Sequence, residues 1–359
     1  MRLLHVIATR PNFVKMAPLI GSLRELDPDG RHSLVHTGQH YDRNMSEIFL
    51  EELGVPEPDH LLGVGGGSNA ETVAGVLERI APVIEADRPD LVIVPGDVNS
   101  TLAAALACAH LRVPVAHLEA GLRSFDRSMP EEVNRVLVDQ LSDLLFTHSP
   151  EALDNLAGEG VDPARVHRVG NTMIDTLVAL EDRFRDRGAA RELGLEPGSF
   201  LLVTLHRPAL VDGALLGEAV AALREVAESV PVAFPVHPRT RKRIEQEGLD
   251  AGDVLLADPV GYLDFLSLQA DARAVLTDSG GIQEETTYLG VPCFTLRDNT
   301  ERPITVAEGT NTLLGLDPEA IRGLPERLDA DRGERRVPEG WDGHAAERAA
   351  SLIAGFVDG

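Results

Sequence analysis

The chain has 359 residues, 43% of them hydrophobic, which is long for one core and suits two. Its formal net charge of -25 argues against nucleic acid or an anionic membrane as a partner. There is no secretion signal, and the longest apolar run, residues 102–111, is too short to span a bilayer, so the expectation is a soluble cytoplasmic protein.

In chain order, apolar runs at residues 3–8, 34–36, 91–94, 113–117 and 144–147 predict buried strands, with helical stretches such as 71–86 and 102–110 between them. The pattern begins again at 201–204, 232–236, 254–256, 274–277 and 293–296. Strands alternating with helices mean parallel sheets covered on both faces. Two such series predict an α/β chain of two doubly wound, Rossmann-like domains, 1–169 and 170–342, with a final helix at 343–359 packing back on the first. Open parallel sheets bind ligands beyond the carboxyl ends of their strands. A site in a central cleft, built from strand-end residues, is therefore expected.

In the first domain the opening strand runs into Thr9-Arg10-Pro11, and Lys15 follows one turn into a helix that Pro11 can start. Arg10 and Lys15 are placed to hold a diphosphate, against the alternative of two surface cations. Gly63-Val-Gly-Gly-Gly-Ser68 lacks the Lys-Ser or Lys-Thr of a phosphate loop and reads as a flexible entry to the next helix. Asp97 follows Pro95-Gly96, Glu119 stands in His-Leu-Glu-Ala-Gly, and Glu131 opens a helix in Ser128-Met-Pro-Glu-Glu-Val-Asn-Arg135. Carboxylates gathered at one sheet edge raise one another's pKa and become acids and bases useful at neutral pH. Each has a structural alternative: a turn residue for Asp97, a satisfied polar group for Glu119, and a Ser128-x-x-Glu131 capping box for Glu131.

In the second domain, strand ends lead to His206-Arg207 and His237-Pro-Arg239, where a histidine can bind phosphate or move a proton. Tyr262 and Phe265 offer an aromatic beside a strand-end turn, for a base or for the core. The fullest signal is Leu276-Thr-Asp-Ser-Gly-Gly-Ile-Gln-Glu-Glu285. Ser279 can cap the helix, Gly280 and Gly281 let a ligand approach the backbone, and the first-turn N–H groups form an anion site. Glu284 and Glu285 can accept hydrogen bonds from sugar hydroxyls. A capped helix with acids in its first turn is the plain alternative. Thr300-Glu-Arg302-Pro303 adds an arginine at another strand end. Cys108 and Cys293 lie in apolar runs and read as small buried hydrophobes, with no disulfide or zinc framework. Of 33 basic residues only Lys15 and Lys242 are lysine, and such an acidic, lysine-poor surface suits a salt-rich cytoplasm.

Together these segments resemble the non-hydrolysing UDP-N-acetylglucosamine 2-epimerases over roughly residues 3–314. The motifs are Thr9-Arg10-Pro11 with Lys15 and Ala17-Pro18, Pro95-Gly96-Asp97, Glu119-Ala-Gly-Leu-Arg123, Pro130-Glu-Glu-x-Asn-Arg135, His206-Arg207, Ser279-Gly-Gly-Ile-Gln-Glu-Glu285 and Thr300-Glu-Arg-Pro303. The resemblance implies a glycosyltransferase-B type fold, a homodimer, UDP in the cleft, and neither metal nor nicotinamide. It implies elimination of UDP to a 2-acetamidoglucal and re-addition with inversion at C2. Asp97, Glu119 and Glu131 match the family's catalytic carboxylates, with acid and base unassigned. Arg10, His206, Ser279 and Gly281 match positions facing the diphosphate, Glu285 the ribose, Val260 and Phe265 the uracil, and Arg302 the sugar or nucleotide.

The chain departs from the pattern at Pro208-Ala209-Leu210 and Ile304, and at Gln39-His40-Tyr41-Asp42, which puts activation by a second UDP-sugar in doubt. Three rivals stand beside the epimerase. They are a relative acting on UDP-2,3-diacetamido-2,3-dideoxyglucuronate, which shares Thr37-Gly-Gln-His-Tyr-Asp42 and Ser124-Phe-Asp126, a hydrolysing epimerase, and a glycosyltransferase of the same fold.

Overall fold

The structure is a computed structural model and describes residues 1–38, 52–328 and 336–359. The segment 39–42, where the sequence departs from its relatives, lies outside the described residues. The chain divides into two compact units, Met1–Ala179 with Glu339–Gly359, and Leu180–Pro338. Sequence placed the boundary at 169/170. The helix Thr172–Ala179 instead packs on the helix Arg10–Leu26 and stays with the first unit.

The first unit is built on seven parallel strands: β1 (Arg2–Ile7), β2 (Arg31–Gly38), β3 (His60–Val64), β4 (Leu91–Pro95), β5 (Val115–Leu118), β6 (Leu144–Thr147) and β7 (Val166–Arg168). Their order is β3-β2-β1-β4-β5-β6-β7. The central strands are continuous apolar runs because helices cover both faces; every residue of Leu91–Pro95 is buried. The helix Asn99–Leu111 is apolar all round, as a helix buried between neighbours must be. The Gly63–Ser68 segment includes the end of β3. Its Ser68 starts the helix Asn69–Asp87 with a capping box: the Ser68 hydroxyl accepts from the Glu71 N–H, and Glu71 accepts from the Ser68 N–H at 2.8 Å.

The last segment returns to this unit. The helix Ala345–Asp358 packs on Arg10–Leu26, and its Ala346 N–H donates to Asp175 at 2.6 Å. Trp341, the single tryptophan, is buried with its indole N–H on the His148 carbonyl at 3.0 Å.

The second unit has six parallel strands: β8 (Leu201–Thr204), β9 (Val232–Pro235), β10 (Leu255–Ala257), β11 (Ala274–Thr277), β12 (Cys293–Thr295) and β13 (Asn311–Leu313). Their order is β10-β9-β8-β11-β12-β13. Both sheets are thus wound outward in both directions from a central pair, β1/β4 in one and β8/β11 in the other. At such a switch point the connections leave on opposite sides, and the ends of the two central strands are left open to a ligand. Cys108 and Cys293 are buried, and burial pushes their thiols up to about 12 and about 11. Among the described residues no helix is long and apolar enough to cross a membrane.

Candidate functional site

In the first unit the candidate residues leave the carboxyl ends of β1, β4 and β5. Asn12 accepts the N–H groups of Ala8 and Thr9, both at 3.1 Å, and so ties the end of β1 to the start of the helix Arg10–Leu26. Arg10 is exposed on the first turn, while Lys15 is buried. The Lys15 ammonium donates to the Glu119 carboxylate.

After β4, Gly96 adopts φ 63°, a left-handed conformation that costs a glycine little. A Cβ there would come within 3.1 Å of the Glu119 carboxylate and 3.2 Å of the Lys15 ammonium. Asp97 follows, and its carboxylate takes Nε and Nη2 of the buried Arg135 at 2.9 and 2.7 Å. Arg135 also donates to Glu132 at 2.7 Å. Burial alone would raise the Glu132 carboxyl, but the Ser124 and Phe125 N–H groups and Arg135 outweigh it and hold it below the usual range.

Glu119 itself sits at φ 69°. That costs a non-glycine residue about 1–2 kcal/mol and persists where the surroundings fix it. A small pocket beside it is lined by Lys15, Glu119, Phe146, His148, Gly170 and Asn171. A His148 ring nitrogen and a Glu119 oxygen lie within 4.8 Å.

Glu131 is half-buried on the first turn of Pro130–Leu141. The capping box expected there does not form. The cap residue is Met129, and the Ser128 hydroxyl donates to Asp126 at 2.6 Å. With Pro130 at the first helical position, Ser128 falls one residue too early to reach the first turn.

In the second unit, Asp278 at the end of β11 is buried and accepts the His206 and Arg207 N–H groups at 2.9 and 2.7 Å. Its other oxygen lies 3.1 Å from His206 Nδ1. The loop after β8 is thereby locked to the neighbouring strand end. The imidazole itself is half-exposed.

Ser279 precedes the helix Gly280–Leu289 but makes no side-chain cap bond, contrary to expectation. The first-turn N–H groups have no partner within the helix, as at any helix start. A Cβ at Gly280 would meet the Arg302 guanidinium, so this glycine makes room for Arg302. Arg302 is buried and pairs with Glu284 at 2.9 Å and with Glu301. Gly281 follows on the same turn, partly accessible.

Glu285 is buried, and burial pushes its carboxyl up to about 7 despite hydrogen bonds from Gln269 at 2.7 Å and the Tyr262 hydroxyl at 2.9 Å. Tyr262 is thus a structural partner. Val260 and Phe265 are half-buried against the apolar cluster of Phe200, Leu202 and Ile282. His237 caps the helix Pro238–Gln246, with Nδ1 accepting the Arg239 N–H at 3.3 Å.

The fold therefore brings Lys15, Asp97 and Glu119 together in one unit, and His206, Ser279 and the Gly280–Gly281 turn in the other, each set at its own switch point. Arg10 is exposed, whereas Lys15 is buried. Sequence reasoning did not single out Arg135, His148, Asn171 or Asp278. The Glu132-x-x-Arg135 spacing was a signal for the first, because residues three apart meet on a helix.

The family described as UDP-N-acetylglucosamine 2-epimerase matches residues 24–354. The chain is 40% identical over 365 residues to the UDP-N-acetylglucosamine 2-epimerase of Methanocaldococcus jannaschii, covering 98% of this chain and 99% of that one. It is 44% identical over 320 residues to the UDP-2,3-diacetamido-2,3-dideoxy-D-glucuronate 2-epimerase of Pseudomonas aeruginosa, covering 88% of each. The crystal structure of M. jannaschii UDP-GlcNAc 2-epimerase in complex with UDP-GlcNAc and UDP is similar at a TM-score of 0.90 and 38% identity, covering 99% of this chain and 100% of that one.

Proposed function

Because the chain belongs to the UDP-N-acetylglucosamine 2-epimerase family, we infer that it interconverts UDP-N-acetylglucosamine and UDP-N-acetylmannosamine without hydrolysis. The observation that carries the chemistry is the Lys15–Glu119 pair, its side chains 10% and 9% exposed, beside an Asp97 oriented by Arg135. The C2 hydrogen of the sugar is weakly acidic. A base takes that proton, the C–H electrons form the C1=C2 bond, and the C1–O bond breaks to release UDP. Delivery of a proton to the opposite face of C2, with UDP returning to C1, gives the epimer. Two faces need two proton-handling groups, and Asp97, Glu119 and Glu131 are the candidates. Lys15 holds Glu119 in place.

The leaving diphosphate gains charge, and preorganised donors stabilise it. His206, held by Asp278, and the N–H groups at Ser279, Gly280 and Gly281 take that role, with Arg10 as a further cation. Glu285 is assigned to the ribose, Val260 and Phe265 to the uracil, and Arg302 to the orientation of that turn. The same reading makes the protein a cytoplasmic homodimer that supplies a polysaccharide precursor in a salt-rich cell. It needs no cofactor.

The higher identity to the Pseudomonas enzyme supports one second reading, a UDP-2,3-diacetamido-2,3-dideoxyglucuronate substrate. Proton NMR in D2O at high salt separates them. Deuterium at C2 of UDP-N-acetylglucosamine with appearing UDP-N-acetylmannosamine supports the first. Exchange only with the diacetamido sugar supports the second. Free N-acetylmannosamine with UDP would make the enzyme a hydrolysing one.

A further inference from the structure

Two left-handed residues, Gly96 at φ 63° and Glu119 at φ 69°, set the direction of the first unit's carboxylates. The other non-glycine cases include Arg88 and Arg112, which end helices. Glu119 ends none, so its conformation is imposed from outside. One buried pair reaches both turns. His117 on β5 has Nε2 at 2.8 Å from the Gly96 carbonyl and Nδ1 at 2.7 Å from Asp139. A carbonyl and a carboxylate both only accept, so Nε2 donates to Gly96 and Nδ1 to Asp139, and the ring clamps the Gly96 turn. The Gly96 N–H is fixed from the same strand, by the Leu118 carbonyl at 2.9 Å.

The second Asp139 oxygen accepts the Gly121 N–H at 3.0 Å and Arg123 at 2.7 Å. Arg123 forks onto Glu159 at 2.8 and 2.7 Å. Asp139 thus grips the chain on both sides of Glu119, through His117 before it and Gly121 after it. Gly121 cannot shift to escape, since even a Cβ there would strike the Ala152 carbonyl at 2.5 Å. His117 and Asp139 are both fully buried. Burial alone would push the Asp139 carboxyl up, but His117 and Arg123 hold it below its ordinary value.

We propose that the buried His117–Asp139 pair is a positioning device, fixing Asp97 through the Gly96 carbonyl and Glu119 through residues 117 and 121. The proposal rests on the reading of Asp97 and Glu119 as proton-handling groups. Buried polar pairs are poor sources of stability compared with apolar packing, and this one ends on the two turns that carry the carboxylates.

The test is His117→Phe and His117→Gln in the full chain, at high salt. Exchange at C2, UDP binding by calorimetry and thermal melting are followed together. In His117→Phe, kcat falls roughly 10- to 100-fold, the loss typical of a supporting shell or a misplacement near 1 Å, while KM and UDP affinity stay within about twofold. Glutamine keeps a donor within reach of Gly96 and recovers part of kcat. A C2-deuterated substrate shows a larger isotope effect in the phenylalanine variant, because proton transfer is the step disturbed. If that variant does not fold, Asp139→Asn loosens the Gly121 grip and shows the same split. Wild-type kcat in folded variants, or kcat and UDP binding falling together, overturns the proposal. A wild-type chain that exchanges no UDP-sugar refutes the epimerase reading beneath it instead.

Discussion

Gly96→Ala tests the N-terminal half-site with a single methyl group. Two costs follow from the geometry. At φ 63° an alanine pays the left-handed penalty of about 1–2 kcal/mol, partly offset by about 0.4–1 kcal/mol from a less flexible unfolded chain. The new Cβ also meets Glu119 at 3.1 Å and Lys15 at 3.2 Å, so that pair moves by a few tenths of an ångström. Gly160→Ala is the matched control: its φ is +75° with nothing within 4 Å of the added Cβ. Both variants should lose about 1 kcal/mol, or roughly 2–4 °C in Tm for a unit of this size. Only Gly96→Ala should lose activity, on the order of 10- to 100-fold in kcat for C2 exchange. Thermal melting and NMR in D2O measure the two effects. A Gly96→Ala enzyme that is destabilised like the control but exchanges at the wild-type rate would refute the claim that Lys15 and Glu119 must sit where they do.

Glu119→Gln and Asp97→Asn should each slow deuterium uptake at C2 by about 10²- to 10⁴-fold, the usual value of a positioned acid or base, with UDP binding retained by calorimetry. The Glu285 carboxyl is raised from 4.5 to about 7 by burial. The folded chain therefore binds the extra proton, and stability is full below pH 4.5 and is lost as pH rises toward 7, by at most roughly 3 kcal/mol. Glu285→Gln should flatten that part of a Tm-against-pH curve, and an unchanged slope would contradict the burial argument. With 58 acidic and 33 basic residues, dialysis to low salt should unfold the chain through self-repulsion. A circular dichroism spectrum and melting curve unaltered in dilute buffer would rule out a salt-adapted surface.

The architecture was legible because the central strands are continuous apolar runs: Leu91–Pro95 and Ala274–Thr277 announce themselves, and their ends locate Asp97 and Ser279. The edge strands were not. His60–Val64 is only partly buried, and Asn311–Leu313 is three residues long with one buried position, so neither carries an apolar signature. At the site, chain order suggested Asp97, Glu119 and His206, because each stands at a strand end. It could not show who faces whom. The pairing of Lys15 with Glu119 was not legible because the two lie 104 residues apart. The packing of Arg302 against Gly280 was not legible either, because Arg302 belongs to a different loop. Ser128 and Ser279 both fit cap patterns; Ser128 falls one residue before the cap position, which Met129 takes, whereas Ser279 occupies the cap position without a side-chain bond.

The first unit is sewn from both ends of the chain, since Glu339–Gly359 belongs to it while Leu180–Pro338 does not. During synthesis the second unit emerges whole and has every strand of its sheet before Trp341 leaves the ribosome. The first unit waits. Until its final segment arrives, His148 lacks its indole neighbour and Asp175 lacks the Ala346 N–H. The wall of the Glu119 pocket is therefore the last part of the molecule to set. A nascent chain paused before residue 339 should already bind UDP through its completed half, but cannot yet exchange a proton.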